Sequence, residues 1–260
     1  MDYETIKLTR EGHIAIMAFN RPQAMNALST QLALDILAVL DEMEQDDQIF
    51  AAVLTGEGER AFCVGADLKE RKNMTKDEMR KQRALFVRAF TAVAEFSKPM
   101  VAAVNGFALG GGTEFALCCD FIIAAEKATF GLPEVGLAVI PGGGGTQLMP
   151  RVIGRNLAKE LIFTGRRITA REAYDLGLVN HVVPDEQLMS KTMEIMQEIT
   201  KNGPIALRQA KRAINLGVEL ELHTALALEA ECHLVCLGTE DRDEGLLAFN
   251  EKRKPVYKGK

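Results

Sequence analysis

The sequence predicts an α/β fold built from repeated strand-strand-helix units and completed by a helical C-terminal region. Short apolar runs closed by turn dipeptides, Phe50 to Leu54 before Thr55-Gly56 and Met100 to Val104 before Asn105-Gly106, have the unbroken hydrophobicity of strands buried on both faces. Between them, about Lys76 to Phe96 carries apolar residues at helical spacing. From about Gly144 onward the pattern is almost wholly helical, and no low-complexity linker separates the halves.

The elements follow in order. Thr5 to Arg10 and His13 to Phe19, with Ile6 and Leu8 and then Ile14 and Ile16 at alternate positions, join at Glu11-Gly12 as two short strands. Ser29 is a good N-cap for a helix whose inner side carries Leu32, Ile36, Val39, Leu40 and Met43, ending at Asp46-Asp47. Gly110-Gly111-Gly112 precedes a short apolar helix, Thr113 to Cys119, and Asp120 to Ala124 reads as a further strand. Helical segments then fall near Thr146 to Val152, Asn156 to Phe163, Ala170 to Leu176, Asp185 to Lys201, Pro204 to Leu216, Glu219 to Cys236 and Asp241 to Lys252. Only Val179 to Val183 interrupts them as a strand. Pro204 sits in a first turn, where its missing N–H costs nothing. The expected organisation is a core over residues 1–200 that carries the site and a helical region over 201–260 that folds on it or on a neighbour.

Composition narrows the function. A chain of 260 residues with 47% hydrophobic content buries a substantial core. Its longest apolar stretches, such as Met100 to Val104 and Phe121 to Ala125, fall far short of the roughly 20 residues that span a bilayer. Met1-Asp2-Tyr3-Glu4 shows neither a secretory nor a transit pattern, so a cytoplasmic protein is expected. A net charge of −5 opposes general affinity for nucleic acid, although Lys252, Arg253, Lys254, Lys258 and Lys260 make the last residues basic. Cys63, Cys118, Cys119, Cys232 and Cys236 lack ligand-pair spacing, and His13, His181, His223 and His233 are scattered, so neither disulfides nor a metal are expected. Cys232 and Cys236, one helical turn apart around His233, read as thiols on a helix rather than as ligands.

Two glutamates carry the chemistry. Alone, Glu114 is a first-turn acid that complements a helix dipole, and Glu134 is a loop carboxylate. Together, inside Gly110-Gly111-Gly112-Thr113-Glu114 and Phe130-Gly131-Leu132-Pro133-Glu134, they form a pair suited to reversible hydration of a double bond, one handling water and the other moving a proton to carbon. The N–H of Gly111, near a helix N-terminus, and that of Ala66, in Val64-Gly65-Ala66-Asp67, are candidate donors to a substrate oxygen. The glycine run Gly142 to Gly145 fits neither a dinucleotide nor a P-loop phosphate cradle. A nonenzymatic binding protein on the same fold is the remaining rival, and retention of both carboxylates argues against it.

In order and spacing these motifs, with Ala61-Phe62-Cys63-Val64-Gly65-Ala66-Asp67-Leu68-Lys69 upstream, resemble the crotonase family of enoyl-CoA hydratases and isomerases, from about Ile14 to the C-terminal tail. The resemblance implies a spiral of ββα units, and a helical C-terminal region that assembles trimers or dimers of trimers. It implies hydration of a trans-2-enoyl-CoA to the 3-hydroxyacyl-CoA, in β-oxidation or related acyl-CoA catabolism, with no separate cofactor. Glu114 would orient and help deprotonate water, Glu134 would exchange the Cα proton, and Ala66 and Gly111 would form the oxyanion hole. Coenzyme A would contact the loop around Gln23, Ala24 and Met25 and the run Ala66, Asp67, Leu68 and Lys69, with Phe249 and Lys252 reaching in from an adjacent subunit. Gln23 departs from a basic residue common in the family, and Leu148 from an arginine. Isomerase, methylglutaconyl-CoA hydratase-type and hydrolase activities are the alternatives within the family. Met79, Leu85, Phe86 and Phe90 of the long helix are expected to wall the acyl pocket.

Overall fold

A computed structural model describes residues 3–260; Met1 and Asp2, which open the acidic N-terminus, lie outside the described residues. Strands β1 (Ile6–Glu11) and β2 (Ile14–Phe19) pair antiparallel around Gly12, whose φ of 58 only glycine adopts freely. Helix α1 (Thr30–Gln45) starts where the Ser29 side chain accepts from the Leu32 N–H. It ends against Lys98, fully buried, whose ammonium donates to the carbonyls of Met43 and Asp46.

The repeat then begins. Strands β3 (Ala51–Gly56) and β4 (Ala61–Cys63) lead through the short helix α2 (Leu68–Arg71) to α3 (Lys76–Ala94). Strands β5 (Met100–Val104) and β6 (Phe107–Leu109) lead to α4 (Gly111–Cys118). Strands β7 (Phe121–Ala125) and β8 (Thr129–Gly131) lead to α5 (Gly145–Ile153). Each unit gives its first strand to one sheet and its second to another. With α6 (Arg155–Thr164), β9 (Ile168–Thr169), α7 (Ala170–Asp175) and β10 (His181–Val183), the sheets have the orders β1-β2-β3-β5-β7-β10 and β4-β6-β8-β9. The repeated crossovers make the central pairs parallel.

The centre of the larger sheet, β3 and β5, is buried on both faces, as the unbroken apolar runs require. Ala52, Leu54, Met100, Ala102 and Val104 turn toward the main core with α1 and α3. Ala51, Val53, Val101 and Ala103 turn the other way, onto Leu188 and Met196 of α8 (Leu188–Thr200).

The chain closes with α9 (Pro204–Gly217), α10 (Leu222–Leu237) and α11 (Glu240–Glu251). Lys211 ties α9 to the core, donating to Asp120 Oδ2 and the Lys98 carbonyl, each at 3.0 Å. Many apolar side chains here face outward, among them Leu222 at 71% and Phe249 at 81% exposed. Cys232 is buried, and the Cys236 thiol donates to its carbonyl at 3.4 Å, as thiols on one helix face do. No three His, Cys, Asp or Glu side chains cluster as metal ligands among the described residues.

Most expected elements are present, with shifted ends. The short apolar helix begins at Gly111 rather than Thr113, because the glycines themselves take helical geometry. The expected strand Val179 to Val183 is confined to His181–Val183. Strands β4, β6, β8 and β9 were not anticipated, since two or three residues are too few to display an alternation.

Candidate active site

Close packing fixes the turn before Glu114. A Cβ on Gly112 would lie 1.8 Å from the Cys63 carbonyl oxygen, so only glycine lets α4 lie against β4. Gly110, its N-cap, has φ 54 and ψ −123, a conformation essentially reserved for glycine. Glu114, one turn in and 2% exposed, therefore points inward. Its Oε1 accepts from the N–H groups of Gly143, at 2.6 Å, and Gly145, at 2.9 Å. Burial raises the Glu114 carboxyl above its ordinary range, against the opposing pull of these two N–H groups and of the Arg83 charge.

Glu134 stands on a 3₁₀ turn, Pro133–Leu137, that proline opens. A Cβ on Gly110 would be 2.8 Å from Glu134 Oε1, so that oxygen rests on the bare glycine. Its Oε2 is buried and has no hydrogen-bond partner. Burial first, then the Glu114 charge, push its carboxyl up to about 7, while its own backbone N–H pulls the other way. One carboxylate is held in a cradle; the other keeps one buried oxygen without a partner and is raised toward neutrality.

The two candidate donors share a wall. Leu28 N–H donates to the Gly65 carbonyl at 2.8 Å, and Asp67 N–H donates to the Leu28 carbonyl at 2.9 Å. In this bridge the N–H of Ala66 itself points away from Leu28. A Cβ on Gly65 would lie 3.1 Å from the Gly111 nitrogen, so the two loops touch. Gly111 opens α4, and its N–H is one of the helix's unshared donors. Ala66, Gly111, Glu114 and Glu134 line one cleft of about 280 Å³, with Phe86 and Phe90 on its apolar side.

The expected coenzyme A contacts are more scattered. Leu68 lines the cleft and is 56% exposed. Asp67 is engaged elsewhere: it pairs with Arg21 at 2.9 Å and caps α2 through the N–H groups of Lys69 and Glu70. Lys69 is exposed on α2, and Ala24 and Gln23 lie on the 3₁₀ turn Pro22–Ala24, half-buried and exposed respectively. Phe249 and Lys252, at the end of α11, do not line the cleft within the chain. Leu148 packs beside Gly144 and against the core.

Of the expected acyl wall, Phe86 and Phe90 reach the cleft, whereas Met79 and Leu85 do not. Met79 lies a helical turn or more too early and is 38% exposed, and Leu85 turns to the core. The spacing 79, 83, 86, 90 puts Arg83 on the same stripe as the two phenylalanines, and Arg83 does line the cleft. Gly143, Gly145, Arg71 and Arg83 are site residues that the sequence reading missed. The signals available were this stripe and the Gly142 to Gly145 run, weighed only as a nucleotide motif.

A family model described as enoyl-CoA hydratase/isomerase matches residues 9–260. The chain belongs to the enoyl-CoA hydratase/isomerase family. Short-chain-enoyl-CoA hydratase of Clostridium acetobutylicum is 45% identical over 254 residues, covering 98% of this chain and 97% of its own. Crotonyl-CoA hydratase of Syntrophomonas wolfei is 42% identical over 257 residues, covering 99% of each. The crystal structure of enoyl-CoA hydratase from Bacillus anthracis superposes with a TM-score of 0.97 at 46% identity, over 99% of this chain and 100% of that one. The crotonase-type fold and the family expected from the motifs both hold. No helix among the described residues is long and apolar enough to cross a membrane.

Proposed function

We infer that this member of the enoyl-CoA hydratase/isomerase family is an enoyl-CoA hydratase, adding water reversibly and syn across a trans-2-enoyl-CoA to give the 3-hydroxyacyl-CoA. The observation that carries the reading is the unequal pair: Glu114 fixed by two backbone donors, and Glu134 pushed up to about 7 across the same cleft. In the proposed cycle the thioester oxygen accepts from the Ala66 and Gly111 N–H groups. Glu114 holds water and takes its proton as the oxygen bonds to Cβ. The π electrons move to an enolate, which collapses by taking a proton from Glu134 at Cα. Exchange with solvent returns both carboxyls to their starting states, so one water is added overall. The two backbone donors supply the polarisation, so neither a metal nor a redox cofactor is required.

Assembly belongs to the same reading. The outward apolar faces of α10 and α11 favour burial against other copies, as a trimer or a dimer of trimers, with Phe249 and Lys252 completing a neighbour's nucleotide site. A cytoplasmic role in β-oxidation or related acyl-CoA catabolism fits this activity. The test is loss of the enoyl thioester's ultraviolet absorbance when crotonyl-CoA meets the protein, with EDTA present. An unchanged rate in EDTA supports the reading; no turnover of crotonyl-CoA or of any other trans-2-enoyl-CoA by verified folded protein ends it.

A further inference from the structure

Two arginines face a cleft that an unbranched hydrocarbon chain would need only to be apolar. Arg71, half-buried, spends its Nε on Gln82 Oε1 at 2.8 Å and lies 5.3 Å over the Phe86 ring. Gln82, 4% exposed, is itself held, its Nε2 donating to Thr30 Oγ1 and Glu70 Oε2, each at 3.0 Å. The nearby acid is committed: Glu70 also accepts from the Thr30 N–H at 3.0 Å. Arg83 donates from Nη2 to the Gly142 carbonyl at 2.5 Å. Neither arginine makes an ion pair within 4.0 Å among the described residues, and the Arg71 Nη groups make no hydrogen bond among them. Burial, and next the Arg83 charge, lower the Arg71 guanidinium from its ordinary value, as two cations facing one space should.

Their place relative to the reacting centre can be bounded. Arg83 Nη2 is 2.5 Å from the Gly142 oxygen, and Glu114 Oε1 is 2.6 Å from the Gly143 nitrogen. That oxygen and nitrogen belong to one peptide unit and lie about 2.3 Å apart. Laid end to end, these separations place Arg83 Nη2 no more than about 7.4 Å from Glu114 Oε1. Coenzyme A phosphates do not reach this point when the thioester sits at Ala66 and Gly111, because the whole pantetheine arm separates them. An anion on the acyl group does, if it lies a bond or two beyond Cβ.

We propose that Arg71 and Arg83 select enoyl-CoA substrates whose short acyl chain ends in a carboxylate, which the two guanidinium groups bind at the far end of the cleft. This rests on the hydratase reading and adds the substrate class. Gln82 is the positioning residue that turns the free Nη groups of Arg71 to the cleft.

The test compares substrates that share the whole coenzyme A: the mono-CoA thioester of trans-pent-2-enedioic acid, its methyl ester, trans-2-pentenoyl-CoA and crotonyl-CoA. Wild-type kcat/KM for the free acid should exceed that for the ester and for pentenoyl-CoA by about tenfold or more. Arg71→Gln and Arg83→Gln should each lower the acid-to-pentenoyl ratio by about 10- to 100-fold, with Arg71→Lys recovering part of it. Equal or better turnover of pentenoyl-CoA by the wild type overturns the proposal while leaving the hydratase intact. So does an equal loss on both substrates in the arginine variants, which would assign these groups to coenzyme A or to the fold. Turnover of none of the four, crotonyl-CoA included, overturns the hydratase reading and this proposal with it.

Discussion

Glu114 and Glu134 share one cleft under opposite constraint: Oε1 of Glu114 accepts two backbone N–H groups at 2.6 and 2.9 Å, whereas the buried Oε2 of Glu134 accepts none. The first carboxylate is oriented in advance, as a group that aims a water molecule must be. The second is raised in proton affinity and free to receive or give a proton. Different consequences follow for their substitution.

Glu114→Gln and Glu134→Gln should each lower kcat on crotonyl-CoA by roughly 10² to 10⁴ with KM nearly unchanged, since both act in the transition state. The double variant should lose less than the product of the single losses, because the residual rate comes from thioester polarisation at Ala66 and Gly111. Steady-state kinetics of the three variants check this. Full multiplicativity would mean the carboxyls do not act as a unit.

The Glu134 carboxyl also makes stability depend on pH. Its value is about 7 folded against an ordinary 4.5, so the folded chain holds this proton more tightly than the unfolded chain. The contribution is complete below about pH 4.5 and is lost as pH rises through about 7. Glu134→Gln should therefore gain on wild type by about 1–2 kcal/mol above neutrality, after allowance for solvent screening, and by little in acid. Thermal unfolding at about pH 5 and about pH 8 measures it; a difference independent of pH would contradict the assignment.

Gly112→Ala should remove most folded protein, since the added carbon would stand 1.8 Å from the Cys63 carbonyl oxygen. A cost of about 3 kcal/mol or more is expected. Gly136→Ala, where a Cβ meets nothing within 4 Å, is the matched control. Equal thermal stability of the two variants would show that α4 does not need that contact.

Truncation after Asn250 should raise KM more than it lowers kcat, because it removes Lys252 and the basic tail from binding remote from the reaction. Light scattering on the full chain should give a trimer or a multiple of it. A fully active monomer would refute the intersubunit site.

The parts legible in the sequence were those determined locally. Ser29 capping α1, the both-face burial of β3 and β5, and the glycine turn before Glu114 follow from spacing and residue type alone. The small sheet was invisible because its strands are too short for a pattern, and their pairing depends on contacts such as Gly112 on Cys63. The cradle of Glu114 was hidden for the same reason: Gly143 lies 29 residues from it in the chain. Gly142 to Gly145 is a backbone donor site for a carboxylate, not a phosphate cradle, and only the fold reveals that. Arg83 was overlooked because the helix was searched for apolar residues, although it stands on the same stripe as Phe86 and Phe90.

The division of labour between the carboxyls is tested most directly by solvent exchange at Cα. Butyryl-CoA, which has no double bond to hydrate, is incubated with each variant in D₂O, and deuterium at C2 is followed by NMR. Glu114→Gln should still exchange the Cα proton through Glu134, while Glu134→Gln should not. Exchange retained in Glu134→Gln and lost in Glu114→Gln would reverse the roles assigned here.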